Sequence, residues 1–203
     1  MKSTTKKEKN ARNTAKKGGV SIGDLLSNVR EAKDAFLALE SIDCHFDLEE
    51  RRLVNILVKY SRMHAQKIVD GGKPDNAELG RTISVAERAA TMFDNRFVAI
   101  MNDSFVNFDK GMASVRKLAP EILVRDGNKI ATLQEALRQK MSDGVSSYDD
   151  IVEAYKAMMA YLPTVSQEAA DALEVAQKEQ RQHRQASLAR EVLAELEDLD
   201  FLN

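Results

Sequence analysis

The sequence predicts an all-α protein: a helical bundle with a disordered basic arm at one end and a long helix at the other. Three observations carry this expectation. Apolar residues make up 43% of the 203 and charged residues 31%, with only 9 Gly and 3 Pro, a composition that can bury a core and spares most helix breakers. After Gly19, apolar positions recur at spacings of three and four through most of the chain. Ser, Thr or Asp followed three residues later by Asp, Glu or Gln also opens one apolar run after another, as capped helix starts do.

The arm comes first, over residues 1–20. Lys2, Lys6, Lys7, Lys9, Arg12, Lys16 and Lys17 stand against a single anion, Glu8, so residues 1–18 carry +6 in a chain whose formal charge is −2, leaving −8 for the rest. Ser, Thr and Asn fill the gaps and no large apolar residue follows Met1, so the stretch has nothing to bury. These seven cations are the candidate nucleic-acid-binding residues, suited to phosphates whatever the base sequence.

The body is expected over 21–176. Ser21 with Asp24 caps a helix whose apolar face is Leu25, Val29, Ala32, Phe36 and Leu39. Asp47 with Glu50 caps a second, through Leu53, Leu57, Tyr60 and Met63 to about Ile68, where Gly71-Gly72-Lys73-Pro74 stops it. Asp75 and Glu78 open a third, through Leu79, Ile83, Ala86, Ala90, Phe93, Phe97, Ile100 and Met101 to about Lys110, with Gly111 ending or breaking it. Phe36, Phe93, Phe97, Phe105 and Phe108 fall at helical spacings and are assigned to the core. The only strand candidate is a short β-hairpin near 121–131, with Asp126-Gly127 between two apolar runs. Thr132 with Glu135 then starts a helix to Met141, Ser142-Asp143-Gly144 turns, and Ser147 with Asp150 starts another that ends at Pro163. Thr164 with Gln167 opens the long last helix. It begins apolar, is wholly polar over Gln177–Gln185, and is amphipathic again at Leu188, Val192, Leu196 and Leu199. Residues 177–187 therefore read as a polar helical bridge and 188–203 as an amphipathic docking tail.

Catalytic patterns are absent from this reading, and no enzymatic activity is expected. Cys44 has no second cysteine with which to form a disulfide or a thiolate zinc site, and His45, His64 and His183 belong to no ligand pattern. Cys44 with one of these histidines is the sole nucleophilic pairing the fold would have to assemble, and no glycine-rich phosphate loop follows a strand. No cofactor and no metal are expected. Residues 132–160 have the element order of a helix-turn-helix. Its second helix, however, would present Asp149, Asp150 and Glu153 with Lys156 as its sole cation, the wrong sign for a phosphate-lined groove. No run is long and apolar enough to span a bilayer, and no signal peptide is read. The expected location is cytoplasmic or inside a virion, a reducing compartment that suits a lone cysteine.

The chain ends in acidic residues alternating with large apolar ones. Leu199-Asp200-Phe201-Leu202 resembles the sliding-clamp-binding tails of the DNA polymerase and late-transcription proteins of T-even-type tailed phages, which share a Leu-Asp-Phe-Leu core. The resemblance covers these four residues. It implies that Leu199, Phe201 and Leu202 enter a clamp pocket with Asp200 at its rim. Asp198 replaces the usual Ser or Thr of those tails, and Asn203 stands where an aromatic or leucine is common. With Leu196, these residues are the candidate partner-binding set. The sequence thus points to a non-enzymatic helical assembly or interaction protein of viral or phage-like type. Its arm would contact nucleic acid or another polyanion and its tail a protein partner, in a chain that either stays single or forms a homo-oligomer. The alternative is a phage replication or late-transcription accessory factor tethered to a sliding clamp by its tail.

Overall fold

The computed structural model describes residues 20–200, with side chains placed as far as Leu193. Among the described residues five helices follow one another: α1 Ile22–Ser41, α2 Leu48–Val69, α3 Asn76–Leu118, α4 Pro120–Ser142 and α5 Tyr148–Asp200. No strand occurs among the described residues. The chain is an all-α bundle. The arm cations Lys2–Lys17, and Phe201 and Leu202, lie outside the described residues.

The helices start where side chains satisfy their first N–H groups, which have no partner inside the helix. The Ser21 hydroxyl accepts the Asp24 N–H at 3.1 Å while the Asp24 carboxylate accepts the Ser21 N–H at 2.9 Å. Asp47 and Glu50 make the same reciprocal pair at 2.9 and 2.8 Å, and Ser147 and Asp150 at 3.2 and 3.0 Å. Asp75 accepts the Ala77 N–H at 2.8 Å. After α2 the chain reverses at Gly71, whose φ of +77° a side chain would strain. Pro120 occupies the first position of α4, where its missing N–H costs nothing, and only Ala119 separates α3 from α4.

The described residues form two compact units, and α3, α4 and α5 contribute to both. One unit comprises 20–104 and 135–156. Its core joins Leu25, Ala32, Ala35 and Leu39 of α1, Leu57 of α2, and Leu79, Ala86, Phe93, Phe97 and Met101 of α3. Phe36 stacks on Phe46 at 4.4 Å between ring centroids, and Phe93 meets Phe36 edge-on at 5.5 Å. Glu50 is buried and paired with Arg96, whose guanidinium also donates to the His45 carbonyl.

The other unit comprises 105–134 and 157–200. Its core is Phe108, Met112, Val115, Ala119, Ile122, Met158, Tyr161, Val165 and Ala169. Gly111 lies inside α3 here rather than ending it. A Cβ at that position would stand 2.6 Å from Leu162 Cδ1, so glycine admits a close approach that outweighs its poor helix propensity.

Three further expectations are corrected. The hairpin near 121–131 is helical and belongs to α4. Ile122 and Leu137 are buried and Ile130 half-buried at helical spacing, and Gly127 does not take the positive φ that an Asp-Gly hairpin turn requires. Thr132 starts no helix; inside α4, its hydroxyl donates to the Asn128 carbonyl at 2.8 Å. Pro163 ends no helix, and Thr164 caps none, because α5 runs through both. Met158, Tyr161, Val165 and Ala169 form one buried face across the proline, and that burial offsets the lost backbone hydrogen bond.

Candidate protein-interaction site

The second half of α5 sets the site. Up to Leu173 the helix keeps an inward face, but from Glu174 to Leu193 every residue is exposed. Gln177–Gln185 contains no large apolar side chain, so nothing there favours packing, while its Gln, Glu, Lys, Arg and His are mostly good helix formers. Beyond it Leu188, Val192 and Leu193 are 53%, 58% and 61% exposed, although their size would ordinarily put them in a core. Leu196, Leu199 and Asp200 continue α5, with side chains outside the described set. The same stretch carries Glu191, Glu195, Glu197, Asp198 and Asp200 against one cation, Arg190. Leu188, Val192 and Leu193 thus stand in solvent beside Glu191, in a stretch rich in carboxylates.

The residues considered for chemistry are not brought together in a catalytic array. His64 is buried and shares a 3.0 Å hydrogen bond with Thr82, a satisfied core histidine. Cys44 is half-buried, with its Sγ 3.9 Å from the His45 carbonyl oxygen, and His45 Nδ1 faces the Asp43 carbonyl at 3.4 Å. No three His, Cys, Asp or Glu residues among those described gather as metal ligands. The start of α5 is anchored by Tyr148, edge-on to Phe97 at 5.1 Å and donating to Asp94 at 2.7 Å. Its first turn holds Asp149 and Asp150, the wrong sign for the phosphate-lined groove of the helix-turn-helix reading. No described helix is long and apolar enough to cross a membrane.

One polar cluster escaped the sequence. Arg125 grips Glu168 with both terminal nitrogens, at 2.5 and 2.9 Å, and also pairs with Asp126 at 2.7 Å. Tyr161 donates to Asp126 at 2.5 Å. The Arg125 hydrogen bonds, then that of Tyr161, hold the Asp126 carboxyl well below the usual carboxylate range. Burial, then the Asp126 hydrogen bond, pushes the Tyr161 hydroxyl up to about 12. Helical spacing from Ile122 was the one signal available for it, and the hairpin reading concealed it.

Fold and surface together define a class: an all-α protein that presents an uncovered amphipathic helical segment and shows no catalytic array among its described residues. Comparison with protein-family models, with curated proteins and with solved structures finds no match to the chain.

Proposed function

We propose that this chain is a non-enzymatic assembly or interaction protein that holds nucleic acid, or another polyanion, by residues 1–18 and a protein partner by residues 188–203. The observation that carries the reading is the uncovered α5 surface, on which Leu188, Val192 and Leu193 remain in solvent. Apolar residues in such a row, edged with carboxylates, suit a helix that enters a groove on a partner. The charge segregation supports the other half: +6 on residues 1–18 and −8 elsewhere recruits phosphate to one segment only. A virion or nucleoprotein component, in the cytoplasm or inside a particle, fits both halves.

The Leu199-Asp200-Phe201-Leu202 motif favours a second reading, in which the partner is a phage sliding clamp and the chain a replication or late-transcription accessory factor. In either reading Phe201→Ala removes a contact worth roughly 2 kcal/mol of binding or more, Asp198→Ala does little, and neither lowers the thermal stability of the isolated chain.

The arm is tested by titrating the full chain with a mixed-sequence DNA duplex at rising salt. The expected slope of log affinity against log salt is at most about 6, since each phosphate contact contributes about 0.9, and sequence preference is slight. Deleting residues 1–18 abolishes the binding. Undiminished binding by the truncated chain places the contact in the folded region and overturns this half of the proposal.

A further inference from the structure

A second uncovered apolar surface lies on α2. Ile56, Tyr60 and Met63 recur at spacings of four and three on one face of that helix and are 44%, 42% and 43% exposed. Ile56 and Tyr60 line a groove of about 240 Å³ with Arg81 and Val85 of α3. The groove is shallow, which suits a helix laid along it better than an enclosed small molecule. The lining holds one cation, Arg81, and one carboxylate, Glu78, and along the same side of α2 stand Arg52, Lys59 and Lys67 against Glu49. The Lys59 ammonium sits 5.8 Å from the Tyr60 ring centroid. Among the described residues none of these four cations pairs with a carboxylate.

We propose that this groove holds residues 188–200 of a second copy of the chain. The inference rests on reading 188–203 as a docking segment and names its partner. The two surfaces are opposite in charge and alike in having an apolar centre. Residues 188–200 carry five carboxylates and one arginine, where Arg52, Lys59, Lys67 and Arg81 stand against Glu49 and Glu78 around Ile56 and Tyr60. Thirteen helical residues rise about 20 Å, enough to lie along α2 from Arg52 to Lys67, a rise of about 22 Å. Every chain carries both surfaces, so each copy can donate its helix to one neighbour and receive another's. Such unlike-surface contacts between identical chains either close, as an exchange dimer or a larger ring, or propagate into filaments. That is the behaviour an assembly protein needs.

The experiment uses the full chain in analytical ultracentrifugation. Tyr60→Glu puts a carboxylate in the groove, and Val192→Glu puts one on the docking stripe; both side chains are exposed, so the fold is retained. The wild type is expected to grow in mass with concentration, and each variant alone to associate roughly tenfold more weakly or worse. An equimolar mixture is expected to form a one-to-one dimer, because the Tyr60→Glu chain keeps an intact docking helix and the Val192→Glu chain an intact groove. Should either glutamate unfold the chain, Tyr60→Ser with Val192→Ser carries the same test. A monomeric wild type, or a mixture no heavier than its components, overturns the inference. So does a Tyr60→Glu chain that assembles like wild type while Val192→Glu does not, since the contact is then helix to helix. The melting temperature of Val192→Glu separates the two levels. Unchanged beside a monomeric wild type, it leaves the docking segment in need of another partner; lowered by several degrees, it removes the docking reading too.

Discussion

At the residue scale, buried aromatics and a few polar contacts between distant residues hold the helices together. Phe97 is 2% exposed and meets Tyr148 edge-on. Phe97→Ala leaves a cavity in a packed interior and is expected to cost about 3–5 kcal/mol in urea unfolding; a change within error would take Phe97 out of the core. Periodicity alone gave this residue away, as it did Phe93 and Phe108. It did not reveal the pairing of Arg96 with buried Glu50, because spacing along one helix says nothing of which residue lies across from it. Arg96→Ala leaves that buried carboxylate with the Asp47 N–H but without its cation and is expected to cost roughly 3 kcal/mol in the same measurement.

The Asp126–Tyr161 pair gives stability a pH dependence at both ends of the scale. Asp126 titrates lower in the folded chain than in the unfolded one, so its contribution is present above about pH 4 and fades as pH falls below that. Tyr161 titrates higher when folded, at about 12 against about 10, so its contribution is full below pH 10 and is lost as pH climbs toward 12. Tyr161→Phe is expected to cost about 1 kcal/mol near neutral pH and to flatten part of the alkaline decline. Tyr148, raised by burial and by its bond to Asp94, retains its own share. An alkaline profile identical to wild type would show that Tyr161 is not held as described.

Among the elements, the legible features were those written locally. The Ser21–Asp24, Asp47–Glu50 and Ser147–Asp150 pairs mark the starts of α1, α2 and α5 because capping needs only four consecutive residues. The misread features were those where local preference and packing disagree. Asp126-Gly127 favours a turn, Gly111 and Pro163 favour a break, and in each case burial on one continuous helix face prevails. The cost of Pro163 remains inside α5 even so. Pro163→Ala restores a backbone hydrogen bond and is expected to stabilise the chain by about 1–3 kcal/mol. Destabilisation instead would mean that packing on either side depends on the proline's local geometry.

On the scale of the whole molecule, composition changes from segment to segment. The helical units bury the apolar face along which their helices meet, residues 1–18 concentrate positive charge, and the far half of α5 leaves Leu188 and Leu193 in solvent beside Glu191. That last feature was legible because a wholly polar stretch cannot pack and isolates the segment beyond it. The groove between α2 and α3 was not legible, since the spacing of Ile56, Tyr60 and Met63 does not tell which apolar side chains a neighbouring helix covers. The central claim is that residues 188–203 serve docking and contribute nothing to the chain's own core. Thermal unfolding of the chain lacking 188–203, beside the full chain and at a concentration where both are monomeric, tests it most directly. The expected result is a melting temperature within about 1 °C of the full chain, whereas a fall of several degrees, equivalent to more than about 1 kcal/mol in a chain of this size, would show that the segment packs on its own body and would contradict the account.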